Sequence, residues 1–395
     1  MASVKTFSAP SLRINVSPQI QAAFKKSLLA WIVVKIVQSL TSLAIWQVIL
    51  DRSQNNYYYF GLKPVTNGWQ GLLLGIWQRW DGIHYQKIAE TGYSQDYLSV
   101  FFPFYPLLSH WFSALTGISP LIALLVVSNI MFIGLLVLVN LLATDLLGQE
   151  IGQWAFFGAV AFPTAFFFSA IYPQSLALFL ILLSYYSFRK EHWALAGFAA
   201  FLAGLTHSTV FPLALLFAIE VFQRFRQHNK FQRIALGFIP FLPLLGTALF
   251  MAWRIRFGYP NYQQLEWSIW RVGFMSPWQF ASTLVSFTLA NSIDFIHWMD
   301  IAVLILACIV TVWCFKKLPF SVSIYQLSAL VFIVFTGDVA NPISSISRYI
   351  LIMFPVFFFI GYQTQNKLIR MGVFELCVIL QILLTGYFFL WGFVG

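Results

Sequence analysis

The chain has 395 residues, is 59% hydrophobic and 19% aromatic, and carries only 9% charged residues, for a mean hydropathy of +0.77. Apolar runs of membrane-spanning length recur along it, which excludes an ordinary soluble protein of two or three domains and predicts one all-α polytopic membrane domain over 1–395. A net charge of +10 could suit nucleic acid, but its placement along the chain excludes that partner.

In chain order, the polar tail 1–26 ends in Lys25-Lys26 and reads as cytoplasmic by the positive-inside rule. A first span is expected over about 27–50, too long for a cleaved signal peptide, so it stays as an anchor. Residues 51–100 form a first outer loop. Phe101-Phe102-Pro103-Phe104-Tyr105-Pro106 then opens the segment 101–118, which is barely long enough to cross; its prolines suit a helix entry or a re-entrant turn. Further spans are expected over 120–144, 152–171, 174–188, 193–207, 209–222, 234–253, 300–315, 319–336, 347–362 and 371–391.

Basic clusters at Arg189-Lys190, Arg224 to Arg233, Lys316-Lys317 and Lys367/Arg370 all fall on the cytoplasmic side if neither 101–118 nor 278–297 crosses. That gives eleven spans, an outer C-terminus and a second large outer loop over 254–299. It also puts 145–151 inside, although that loop has Asp145 and Glu150 and no basic residue. The cytoplasmic segments then hold 14 Lys and Arg against 4 Asp and Glu, and the outer ones 8 against 8. The whole excess charge is a topology and anionic-lipid signal, not a nucleic-acid one. Cys308, Cys314 and Cys377 sit in or beside apolar segments and read as packing residues. No Gly-rich phosphate loop follows a strand pattern.

The stretch Trp80 to Tyr93 is a polar island in the first outer loop. A helix begun near Asp81 places Asp81, His84, Tyr85 and Ile88 on one face. The same topology gathers Tyr172, Thr206-His207-Ser208, Arg254, Arg256, Glu266, Arg271, Asp338, Asn341, Ser345 and Arg348 at the outer side. Ionisable groups at a membrane surface are costly and tend to be functional. An outward-facing enzyme has no ready access to cytoplasmic sugar nucleotides, but a lipid-linked phosphate sugar reaches it. Displacing a sugar from phosphate needs a base for the acceptor hydroxyl and a cation for the departing phosphate. Asp81 is the expected base and Arg348 the expected phosphate-binding cation. Trp80, His84, Tyr85, Tyr105, Tyr172 and His207 are expected to contact substrate. Asp81 and His84 supply two of the donors that a divalent metal would need, which alone rarely make a site. The bland rivals are a helix-capping Asp81, an interfacial His84 and a snorkelling Arg348.

Arg79-Trp80-Asp81-Gly82-Ile83-His84-Tyr85, Ile88-Ala89-Glu90, Gly92-Tyr93 and then Phe101-Phe102-Pro103-Phe104-Tyr105-Pro106 resemble the hallmark of the PIG-V family of mannosyltransferases. Phe162-Pro163 with Phe167 to Tyr172 looks like that family's second motif. Ala196-Gly197 with Leu205 to Ser208 looks like its third, with His207 where an arginine is common. Ser347-Arg348-Tyr349 with Phe354-Pro355 is similar to its C-terminal block. The resemblance implies the GT-C fold, Asp81 as catalytic carboxylate with Trp80 and His84 beside it, and a polyprenyl- or dolichyl-phosphate mannose donor. It also implies inversion at the anomeric carbon and a glycolipid or other extracytoplasmic acceptor. The short chain looks more like a prokaryotic relative, acting at the outer face of the plasma membrane, than like the enzyme of the endoplasmic reticulum lumen. The rival readings are a transporter or lipid flippase, and a scaffold subunit without activity.

Overall fold

The computed structural model describes residues 17–48, 60–292, 294–362 and 366–394. The expected tail up to residue 16 and residues 51–59 of the first outer loop lie outside the described residues. Helices make up 79% of the structure. Among the described residues the only sheet is a two-stranded antiparallel pair, Val272–Phe274 (β1) with Thr336–Asp338 (β2). Among the described residues six stretches are long and apolar enough to cross a membrane: Pro18–Ala44, Pro120–Leu147, Ser208–Gln227, Lys230–Arg256, Phe295–Lys317 and Lys367–Phe389. The chain is therefore an all-α membrane protein.

Helix α1 (Pro18–Ala44) begins where Ser17 accepts a hydrogen bond from the Ile20 amide and Pro18 fills the first turn, a strong start signal. This corrects the expected tail boundary, since residues 18–26 are already helical. Lys26 lies 4.2 and 4.5 Å from the ring centroids of Phe156 and Phe157, so its charge rides along aromatic surface and does not end the helix. Short helices α2 (Gly68–Leu73) and α3 (Asp81–Thr91) follow, then α4 (Phe104–Thr116). At 13 residues α4 spans ~20 Å, short of a bilayer core.

Helix α5 (Pro120–Leu147) is the central column. It packs against α1, α4, α6 (Gln149–Ala161) and α7 (Gln174–Arg189). The expected span 152–171 is not one helix: α6 stops at Ala161, and Phe162 turns to an extended conformation (ψ 135°) before Pro163. The residue before proline disfavours helix, and proline offers no amide to continue one. Helices α8 (Trp193–Gly204), α9 (Phe211–Arg224), α10 (Lys230–Phe238), α11 (Leu242–Arg256), α12 (Tyr262–Trp270), α13 (Pro277–Ala290), α14 (Phe295–Lys317) and α15 (Phe320–Phe335) follow in sequence. The expected span 347–362 is likewise broken, into α16 (Ile346–Tyr349), a 3-10 turn over Ile350–Ile352 and α17 (Pro355–Tyr362). The two broken segments meet, with α6 packed on α17 and Thr164 Oγ1 donating to the Ser347 carbonyl. Helix α18 (Lys367–Phe389) closes the bundle against α1 and α6.

The ends of the bundle are chemically distinct. Asp145 pairs with Arg189 and Lys190 at 2.6 and 2.8 Å, and Glu150 pairs with Arg370 at 2.9 Å. The acidic loop 145–151 is thus neutralised by two of the basic clusters, which places it at their end of the bundle. Glu220 joins the same end through Arg224 and Ser321. Asp81, Tyr172, His207 and Arg348 sit where α3 and α16 lie and where α7 and α9 begin, at the other end.

Candidate active site

The carboxylate of Asp81 is delivered by a locally strained turn. Arg79 is buried; its Nε donates to the Phe389 carbonyl at 2.9 Å and its Nη1 to the Gly75 and Gln78 carbonyls at 3.0 Å. The end of α18 presents partial negative charge, so this guanidinium ties α3 to α18. Trp80 follows with φ 50° and ψ −130°, a conformation a bulky residue rarely adopts, and its Nε1 donates to the Gly392 carbonyl at 3.2 Å. Its ring packs edge-on against Trp391 and Phe393. Asp81 then opens α3, with Trp80 rather than Asp81 in the capping position. A Cβ on Gly82 would lie 2.6 Å from Ile171 Cγ1, so only glycine lets α3 approach the segment that carries Tyr172.

Arg348 comes from the second broken segment. β1 pairs with β2, Val272 opposite Asp338, tying the stretch 254–299 to the residues just before α16. Ser345 takes the left-handed conformation at φ 65°, and its carbonyl accepts from the Arg348 amide at 3.0 Å. Both site residues therefore follow a non-glycine residue at positive φ, at a cost of about 1–3 kcal/mol each, and such strain clusters at functional sites.

Arg348 Nη1 donates to Asp81 Oδ2 at 2.6 Å. Its Nη2 donates to the Tyr349 hydroxyl at 3.1 Å, and its guanidinium lies 4.9, 5.5 and 6.0 Å from the ring centroids of Tyr349, Tyr172 and Phe167. The Arg348 side chain is 8% exposed and that of Asp81 28%. The cation is thus held in an aromatic seat while the carboxylate faces outward, where a ligand can reach it.

The other expected contacts divide into lining and support. Tyr172 is fully buried, its hydroxyl donating to the Arg79 carbonyl at 3.3 Å, and serves as the floor under Arg348. Tyr105 is also fully buried, 2.7 Å from the Ser128 hydroxyl and donating to the Leu124 carbonyl at 3.1 Å. It supports Tyr85, which packs on Phe101, Tyr105 and Tyr172. Neither Tyr105 nor Tyr172 presents a surface to substrate, which revises the expectation for both. His84 is buried among Phe60, Tyr97, Phe101 and Trp270, and burial lowers its pKa, against the Asp81 charge, which raises it. His207 is half-buried against Tyr349, with Nδ1 2.8 Å from the Thr209 hydroxyl. Trp80 is half-buried beside Asp81.

Glu266, expected on the same side as Asp81, lies near enough for the two charges to interact. It is half-buried on α12, whose Trp270 packs against His84 and Phe101. Burial raises its pKa to about 7, the Asp81 charge adds to the rise, and Tyr262 and Arg254 oppose it. Tyr349, not expected as a site residue, follows Arg348 directly, and its hydroxyl accepts from the guanidinium. Among the described residues no three His, Cys, Asp or Glu side chains come together as metal ligands. Asp81 and His84 alone, with His84 enclosed by rings, do not make a metal site. No family model matches the chain, and no curated protein matches it.

Proposed function

We propose that the protein is an inverting glycosyltransferase of GT-C type and PIG-V kind, built on about eleven spans, that moves mannose from a polyprenyl-phosphate donor to an extracytoplasmic glycolipid-type acceptor. The observation that carries this reading is the Asp81–Arg348 pair, an outward carboxylate held 2.6 Å from a buried guanidinium at the end of the bundle away from the basic clusters. Asp81 takes the proton of the acceptor hydroxyl as its oxygen attacks the anomeric carbon. The bond from that carbon to the phosphate oxygen breaks, and the phosphate leaves with the electron pair. Arg348 stabilises the charge on the leaving phosphate. One displacement inverts the configuration. Phosphate is already a good leaving group, so no second carboxylic acid is needed. While no donor is bound, Arg348 holds the Asp81 carboxylate in place at 2.6 Å; a donor phosphate competes for the same guanidinium and frees the carboxylate to act as base.

A second reading, a transporter or lipid flippase, is favoured by one observation: Tyr172 and Arg348 both lie on interrupted helical segments, as substrate sites of transporters often do. The site's place at one end of the bundle, rather than midway, favours the transferase. The test is transfer of label from polyprenyl-phosphate mannose to membrane lipid by the purified protein, with Asp81→Asn alongside. Wild-type transfer and loss of at least about 10³-fold in the variant are expected. Equal transfer by both removes Asp81 as base, and transport without transfer by either supports the second reading.

A further inference from the structure

His207 stands at the turn between α8 and α9, where its side chain caps the short turn Ser208–Val210. Its ring centroid is 5.8 Å from that of Tyr349, and it lies near enough to Arg348 and Asp81 for both charges to act on it. Its Nδ1 accepts from the Thr209 backbone N–H at 3.2 Å and is 2.8 Å from the Thr209 hydroxyl. An amide N–H can only donate, so Nδ1 carries no proton. The one proton of the ring is therefore on Nε2, and the ring is neutral. An imidazolium would have to donate from Nδ1, which the amide forbids, and would set a second cation beside Arg348. The Nε2–H makes no hydrogen bond among the described residues, and on this half-buried side chain it is not sealed from solvent.

The groups beside this N–H define what it meets. The Tyr349 oxygen accepts from Arg348 Nη2 at 3.1 Å, which leaves its own proton to be donated. Around the Tyr349 ring the protein thus offers a guanidinium, a phenol O–H and an imidazole N–H, all donors. An ionised phosphate ester has several anionic oxygens and no proton to give, and Arg348, with Nη2 already on Tyr349, cannot meet them all. A neutral N–H adds a hydrogen bond to a second oxygen. It brings no positive charge that would hold the Asp81 carboxylate away from an acceptor hydroxyl.

We infer that His207, fixed as its Nε2–H tautomer by the Thr209 amide, donates a hydrogen bond to the phosphate of the lipid donor beside Arg348. No proton is transferred; the ring stays neutral through the displacement. The inference rests on the glycosyl-transfer reading for the identity of the phosphate. The rival role is the helix cap alone, and two variants separate the two. Serine is a good capping residue without the N–H, so His207→Ser keeps the cap and loses the donor. Glutamine is a poorer cap whose amide nitrogen keeps a neutral N–H at similar reach, so His207→Gln does the opposite.

The test is the affinity of the full chain in nanodiscs for undecaprenyl phosphate, with undecaprenol as the control that lacks the phosphate, alongside melting temperatures. Wild type should prefer the phosphate. His207→Ser should melt like wild type yet bind the phosphate about tenfold more weakly, whereas His207→Gln should melt lower yet bind within about threefold of wild type. Wild-type affinity in His207→Ser, or no preference for phosphate over alcohol in wild type, overturns the inference. Phosphate binding that needs His207 in a protein that transfers no mannose would keep the phosphate seat and sink the transferase. Mannose transfer by His207→Ser at the wild-type kcat/KM would do the reverse.

Discussion

Arg348 Nη1 and Asp81 Oδ2 are 2.6 Å apart although 267 residues separate them in the chain. The contact depends on two independent supports, the Arg79 anchor under α3 and the β1–β2 pair that leads into α16. Their charges act as a unit, so their substitutions should not add. Arg348→Ala is expected to lower kcat/KM for the phosphate donor by about 10²-fold or more. In Asp81→Asn, adding Arg348→Ala should cost little further activity. A double-mutant cycle of kcat/KM measures this, and additive losses would mean that the two residues act in separate steps. Arg348→Lys tests geometry, because a lysine keeps the charge but not the fork that reaches Asp81 and Tyr349 together.

His84 separates a metal or proton role from a packing role. Its ring centroid lies 4.8, 5.3 and 5.1 Å from those of Phe60, Tyr97 and Phe101. A phenylalanine keeps an aromatic ring there with some overpacking and no titratable or metal-binding nitrogen, so His84→Phe should keep transfer within about threefold of wild type at a lower melting temperature. Chelator should have no more effect on the variant than on wild type. Loss of activity on the scale of Asp81→Asn would restore His84 to the reacting groups.

Gly82 gives a stability prediction. Gly82→Ala places a methyl 2.6 Å from Ile171 Cγ1, and the expected loss is about 1–3 kcal/mol of overpacking, read as a lower melting temperature in detergent. Ile171→Ala alone opens a cavity and also destabilises. Combined with Gly82→Ala, it should be less harmful than the sum of the two, because the added methyl occupies part of the vacated space. Strict additivity would show that the α3–Ile171 contact does not limit packing.

The sequence made the first half of the site visible and concealed much of the second. Asp81, His84 and Tyr85 stand out because polar side chains at helical spacing are rare in so apolar a chain, and the helix over Asp81–Thr91 forms where that spacing places it. The breaks at Phe162-Pro163 and around Met353 to Pro355 lie inside uninterrupted apolar runs. There a buried turn and a buried helix have the same composition, and only the prolines hint at the difference. Tyr105 and Tyr172 are expected to contact substrate, but both are fully buried, because an aromatic ring with a hydroxyl suits a packed core with one hydrogen bond as well as it suits a sugar. Glu266 is expected on the same side as Asp81, but its interaction with that charge depends on how α12 packs over Phe101, which no local pattern encodes.

Glu266 also gives the site a pH dependence with a definite sign. Its carboxyl rises from the ordinary value of 4.5 to about 7, chiefly through burial and further through the Asp81 charge. The native state therefore holds this proton more tightly than the unfolded chain does. The resulting stabilisation is complete below pH 4.5 and is lost as pH rises through about 7. Above that point a second negative charge faces Asp81 and repels an incoming phosphate donor, so kcat/KM should fall along the same limb. Glu266→Gln fixes the neutral form and should flatten both the melting-temperature curve and the kcat/KM profile between pH 6 and 8. An unchanged inflection near pH 7 in the glutamine variant would assign the titration to another group and remove Glu266 from the site.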